Sequence, residues 1–239
     1  GERLVIPAGT YKGRNNDCDY RFRAHSAVAH MTGLGGELEP DAVLVLNPTD
    51  DGHEATLYFH PRASRSSREF YADSRYGEFW VGARPSLEEM TTLTGLHCDS
   101  IDNLSDALAK DLGPGQVMLR VVPQSDAAIE AQVTELRERA ELAEAAAQAD
   151  AELSEALAEI RLNKDAWEVE EMRKSVALTK EGFENIIAEL PRAIGHWRGE
   201  RVVEGAFGAK AREEGNGLLN SILQTGVDIV RHGGGQYFK

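Results

Sequence analysis

The sequence predicts an α/β domain over its first half and helices after it, and three observations carry that prediction. Apolar runs at Leu4-Val5-Ile6, Ala42-Val43-Leu44-Val45-Leu46 and Val117-Met118-Leu119-Arg120-Val121-Val122 have strand length and turn residues at their ends. Helix-start chemistry lies between them, at Ser86-Leu87-Glu88-Glu89-Met90 and Asn103-Leu104-Ser105-Asp106-Ala107-Leu108, with Ser at the cap and acids in the first turn. From Ser125 to Ile160 glycine and proline nearly vanish in favour of Ala, Glu and Leu.

Taken in order, Leu4-Val5-Ile6 reads as a buried strand closed by Pro7 and Gly9. The run at 42–46 is a second strand, ended by Asn47-Pro48. Ala55-Thr56-Leu57-Tyr58-Phe59 is a third, and the polar Asp50-Asp51-Gly52 between the two makes a hairpin. Gly113-Pro114-Gly115 opens the fourth strand at 117–122. Alternating strands and helices over residues 1–122 argue an α/β domain, assigned to 1–124. Ile129, Val133, Leu136 and Ala140 recur at helical spacing, so 125–159 reads as a helical linker packed by one stripe, with a coiled-coil partner site as the alternative. Residues 160–190 continue as an amphipathic helix with Trp167, Val169, Met172, Val176 and Phe183 as candidate core contacts, and Pro191 interrupts it or marks its end. Glu204 to Glu214 is a further helix stopped by Gly215-Asn216-Gly217, and Ser221-Ile222-Leu223 starts a strand.

Composition narrows the function classes. Forty acidic against twenty-six basic side chains give a net charge of −14, which repels phosphate backbones and anionic lipid heads, so neither nucleic acid nor a membrane is an expected partner. No apolar run approaches the roughly 20 residues of a membrane span. Gly1 to Gly13 lack the basic-then-apolar pattern of a leader. The expectation is a soluble, cytoplasmic protein. Cys18 and Cys98 have no metal-ligand spacing and read as reduced thiols.

Four segments carry a family resemblance. They are Tyr20-Arg21-Phe22-Arg23-Ala24-His25-Ser26, Met31-Thr32-Gly33-Leu34, Glu39-Pro40-Asp41-Ala42-Val43-Leu44-Val45-Leu46 and Glu78-Phe79-Trp80-Val81-Gly82-Ala83-Arg84-Pro85. Their order and spacing resemble the N-terminal domain of aminopeptidase P and its creatinase and prolidase relatives. The helix from Arg161 to Phe183 and Glu204-Gly205-Ala206-Phe207 resemble the opening of that family's catalytic domain. The resemblance implies a mixed sheet with flanking helices in 1–124, then the linker, then at 160–239 an incomplete α+β pita-bread domain. It implies an N-terminal domain that shapes the substrate entrance and contributes subunit contacts, hence a homo-oligomer. The family's complete enzymes hold two metal ions, usually manganese, on two Asp, one His and two Glu, where a bridging hydroxide attacks the Xaa-Pro bond.

Carried onto this sequence, the family pattern places His232 within a residue of the histidine that assists substrate or oxyanion binding, and it reaches no metal ligand before Lys239. No cofactor is therefore expected in residues 1–239, and both ends are expected to be cut. The other candidates are weaker. His25 and His30 are five apart rather than the four of a helical ligand pair, and His53, His60 and His196 share no centre. The glycines at 33–36 and 233–235 lack the strand-loop-helix context of a phosphate cradle. Arg62, Arg65, Arg68 and Arg75 form a basic cluster that pairs with the chain's own carboxylates or meets a neighbouring subunit.

The leading expectation is part of an aminopeptidase P that releases the residue ahead of proline, inactive alone. A non-catalytic oligomerisation or regulatory protein built on the N-terminal domain is the alternative. A metal-free, creatinase-like hydrolase working through His232 ranks last, since one histidine without a carboxylate partner has no general acid/base pair.

Overall fold

Alternating residues of the apolar runs point to opposite faces of one sheet, and both faces are covered. The computed structural model describes residues 1–214 except Asp17, Gly36 and Glu37. In order these form β1 (Glu2–Pro7), a ribbon of β2 (Gly13–Asn15) and β3 (Cys18–Asp19), α1 (Ser26–Thr32), β4 (Val43–Thr49) and β5 (Gly52–Phe59). The short helices α2 (Arg68–Ala72) and α3 (Glu78–Val81) follow, then α4 (Leu87–Thr94), β6 (His97–Ser100), α5 (Leu104–Ala109) and β7 (Met118–Val121). Two longer helices, α6 (Ala127–Arg139) and α7 (Ala146–Ile160), complete a unit spanning Gly1–Arg161.

The sheet order is β6-β5-β4-β1-β7. β4 runs antiparallel to β1 and β5, with Leu44 opposite Ile6 and Leu57, while the outer pairs β1–β7 and β5–β6 are parallel. The sheet is thus mixed and carries helices on both faces. Ile6, Leu44, Leu57 and Phe59 pack with Val28 of α1, Met90 of α4 and Leu153 and Leu157 of α7. Val5, Val43, Val45 and Tyr58 pack with Leu104 and Leu108 of α5 and Val133 of α6. The segment read as a linker forms α6 and α7, one on each face.

These two helices meet around the free edge of β7. Asp150 of α7 accepts from the Val121 amide at 2.8 Å, and Arg137 of α6 donates to the Leu119 carbonyl at 2.8 Å. The two side chains also pair with each other at 2.5 and 2.9 Å. Side chains thereby occupy backbone groups that an edge strand would otherwise offer to another chain.

Several elements differ from expectation for local reasons. β4 runs through Pro48 to Thr49, because its ladder with β1 reaches only Leu4 opposite Leu46 and Pro48 removes no bond on that side. The helical segment breaks after Ile160: Asp165 caps a new helix, α8 (Ala166–Ile194), in a reciprocal capping box with Glu168. Pro191 lies inside α8, three residues before its end. A 3₁₀ turn over Ile101–Asn103, capped by Ser100, leads into α5, whose N-cap Asn103 makes no side-chain capping bond and instead donates its amide to the Asp99 carboxylate at 2.9 Å.

In the second unit, α8 packs on α9 (Gly199–Glu214) largely through small residues, and of the expected large ones Phe183, half-exposed, meets the Phe207 ring edge-on at 5.6 Å. Ser175, Gly182 and Ala193 are its buried positions, whereas Trp167, Met172, Val176 and Phe183 are exposed by 47% or more. A Cβ on Gly182 would lie 2.6 Å from the buried Phe207 ring. Gly182→Ala is therefore expected to cost about 1–3 kcal/mol by overpacking, read as a lower thermal midpoint of the α8–α9 helical signal. An unchanged midpoint would show that the ring moves aside freely.

Candidate functional site

The chain entering β4 delivers two carboxylates, Glu39 and Asp41, and the segment between α2 and α4 delivers the guanidinium groups that meet them. Arg84 is 5% exposed, and every side-chain nitrogen has an acceptor. Nε donates to Glu39 at 2.8 Å, Nη1 to the Tyr76 carbonyl at 3.0 Å and Nη2 to the His60 carbonyl at 2.5 Å. The Arg84 amide donates to the Glu78 carboxylate at 2.8 Å. Arg84 thus ties the strand entry to the end of β5 and to the loop that contains it.

Arg75 makes a second, more open pair. Its Nε and Nη2 reach Asp41 at 3.0 and 2.5 Å, Nη2 also meets the Thr10 hydroxyl, and Tyr76 donates its hydroxyl to Asp41 at 2.8 Å. These bonds hold Asp41 at a φ of 63°, a left-handed conformation unusual for a residue with a Cβ. Burial pushes the Asp41 carboxyl up, but bonds from Arg75, Thr10 and Tyr76 outweigh it and hold the group below its usual value of 3.8. A depressed folded-state value means that this stabilisation is present above the unfolded pKa and is lost as pH falls through the folded one. Acid below about pH 4 is thus expected to loosen this layer. Asp41→Asn should flatten that part of the stability–pH curve, and an unchanged acid limb would contradict the assignment.

The same segment raises an aromatic tip. Tyr71, Phe79 and Trp80 are 59–65% exposed and contact one another edge-on or tilted, with centroids 5.9–6.0 Å apart. Trp80 Nε1 donates to the Tyr71 carbonyl at 2.7 Å, joining α3 to α2. Gly77 makes the close approach possible, since a Cβ there would sit 2.4–2.8 Å from the carbonyl oxygens of Asp73, Glu69 and Phe70.

The candidates from the sequence do not converge. His232 lies outside the described residues. His25 caps α1, its Nδ1 accepting from the Ala27 amide at 3.3 Å, and burial followed by the charge of Arg161 lowers its pKa. His53 bonds the Glu2 carbonyl, His60 bonds Glu69, and His196 stacks on Trp197. Arg62 pairs with Glu89 and Arg75 with Asp41, which favours the chain's own carboxylates for those two members of the basic cluster. Cys18 is exposed and Cys98 buried, both as free thiols. Among the described residues, no group of three or more His, Cys, Asp and Glu side chains could hold a metal ion, so these residues do not fit the family's two-metal centre.

Sequence reasoning missed the Glu39–Arg84 and Asp41–Arg75 pairs. All four residues stand in or beside the motifs of the resemblance, but partners 45 and 34 positions apart leave no periodic signal.

A family model described as "Aminopeptidase P, N-terminal domain" matches residues 1–119. Xaa-Pro aminopeptidase 1 of Streptomyces coelicolor is 43% identical over 227 residues, covering 95% of this chain and 43% of that protein. Xaa-Pro aminopeptidase 2 of the same organism is 42% identical over 219 residues, covering 91% and 43%. The chain therefore spans less than half the length of these relatives. Among solved structures, Zn-substituted aminopeptidase P of Escherichia coli in complex with product superposes with a TM-score of 0.68 at 21% identity, over 90% of this chain and 46% of that one. Its low-pH form gives a TM-score of 0.65 at 21% identity, over 87% and 46%. These two likenesses show the fold. Residues 1–119 are thus an aminopeptidase P N-terminal domain, and the similarity to Xaa-Pro aminopeptidases runs over 95% of the chain.

Proposed function

We propose that the encoded polypeptide containing residues 1–239 is an Xaa-Pro aminopeptidase, which removes the N-terminal residue from peptides with proline in second position. The observation that carries this reading is the 43% identity to Xaa-Pro aminopeptidase 1 across 95% of the chain, reaching well beyond the N-terminal domain. In this reading 1–124 is the N-terminal domain, 125–159 the helical linker and 160–239 the opening of the catalytic domain. The enzyme works in the cytoplasm as a homo-oligomer with two manganese ions, whose ligands lie outside the described residues.

The exposed stripe of Val176, Phe183, Ile187, Leu190 and Ile194 supports that division. Spaced seven, four, three and four residues apart, it follows one side of α8, the side a larger catalytic domain would cover. The aromatic tip has the chemistry for a substrate entrance or subunit contact, being rigid, apolar and exposed.

The test is to express the polypeptide from the full coding region, load it with manganese and follow release of the first residue from an Xaa-Pro peptide and from its Xaa-Ala counterpart. Selective cleavage of the proline peptide is expected. Equal cleavage of both, or none, would refute the assignment.

A further inference from the structure

An open pocket of about 600 Å³ lies beside the Arg75 and Arg84 layer, between the β2–β3 ribbon and the segment ending in Pro85. That volume is within the range of small-ligand sites, about 300–1,000 Å³, and suits a peptide of about two or three residues.

The charged groups of its wall divide sharply. Glu39 and Arg84 are paired with each other, and Nε and Nη2 of Arg75 are committed to Asp41, Thr10 and Tyr76. Asp19 and Arg21, by contrast, make no hydrogen bond or ion pair through their side chains among the described residues, although both line the pocket. The hydroxyls of Tyr11 and Tyr20 are likewise unengaged among those residues. Phe22, packed edge-on against Tyr11 at 5.8 Å, supplies apolar wall. Asp19 ends β3 and Arg21 stands two residues beyond it, and both line the pocket without pairing with each other among the described residues. Tyr11 marks where these charges converge: burial raises its phenol pKa first, then Glu39, while Arg75 and Arg84 oppose and Asp19 adds to the rise.

A ligand complementary to this wall needs one anionic and one cationic end, polar groups between them and some apolar surface. We propose that the pocket binds short peptides with both termini free, the carboxylate on Arg21 beside Nη1 of Arg75, which makes no hydrogen bond among the described residues, and the ammonium on Asp19. This is a binding site within the N-terminal domain, and it does not rest on the peptidase reading. Its openness to solvent implies weak, reversible binding, suited to sensing peptide supply or to holding a peptide near the domain.

The experiment is a calorimetric or NMR titration of the metal-free 239-residue chain with trialanine, its N-acetyl form, its C-terminal amide and the doubly blocked peptide. Unblocked trialanine is expected to bind best, with each block weakening binding roughly tenfold. Arg21→Gln should abolish the advantage of the free carboxylate only, and Asp19→Asn that of the free ammonium only. Both side chains are exposed and unpaired among the described residues, so thermal midpoints should not move; a fall in either would overturn the premise that they are free for a ligand. Equal binding of all four peptides, or no binding at millimolar concentration, would overturn the proposal. The titration reads binding without turnover, so its failure leaves the Xaa-Pro assignment untouched.

Discussion

Asp150→Ala is expected to destabilise the Gly1–Arg161 unit by about 3–5 kcal/mol, the scale for removing one partner of a buried ion pair. The substitution strands Arg137, whose side chain is 6% exposed, and also removes the acceptor of the Val121 amide at the sheet edge. Asp150→Asn keeps an oxygen for that amide and loses the charge, so it should fall between Ala and the unmodified chain. Hydrogen exchange at Val121 is the direct readout: in Asp150→Ala its protection should drop further than protection in the central strand β4. Uniform loss across the sheet would mean that the pair holds α6 and α7 without guarding the edge. Because the chain has two compact units, the denaturation signal must be taken from the sheet rather than from total helicity.

Arg84→Ala should be comparably severe, about 3–5 kcal/mol by the same reasoning. It leaves the Glu39 carboxylate, 13% exposed, without its cation, and the His60 and Tyr76 carbonyls without their donor. The two effects separate experimentally. Adding Glu39→Gln to Arg84→Ala should recover part of the loss by removing the stranded charge, whereas the unsatisfied carbonyls remain. Trp80 reports the consequence for the aromatic tip: its Nε1 bond to the Tyr71 carbonyl depends on the loop that Arg84 anchors, so protease cleavage between α2 and α4 should accelerate. A stability change below about 1 kcal/mol, with the loop still protected, would contradict the anchoring role.

Strands β1, β4, β5 and β7 were legible because residues such as Val5 and Ile6, or Val43 and Leu44, stand in continuous apolar runs that suit a sheet buried on both faces, whereas β6, His97-Cys98-Asp99-Ser100, and the β2–β3 ribbon have no such run and were not read. The α4 start was legible for the same local reason, since Ser86 and Glu89 complete each other's bonds within one turn. The Asp165–Glu168 box has the same pattern, yet the apolar residues running across it suggested an unbroken helix. Local chemistry could not show that α8 buries Ser175 and Gly182 while exposing Val176, because that choice is made by Phe207 of α9, 25 residues beyond Gly182. The Arg84 and Arg75 networks were illegible for a related reason: a guanidinium's partner is fixed by the fold that brings Glu39 and Asp41 to it. The motifs around these residues marked the family without saying what the side chains do.

We propose that residues 1–239 carry the aminopeptidase P N-terminal domain without the ligands of the family's two-metal centre. Incubating the purified 239-residue chain with manganese and an Xaa-Pro peptide tests it most directly, with metal alone as the control. No release of the N-terminal residue above that control is expected; sustained, proline-directed release by this chain would overturn the assignment.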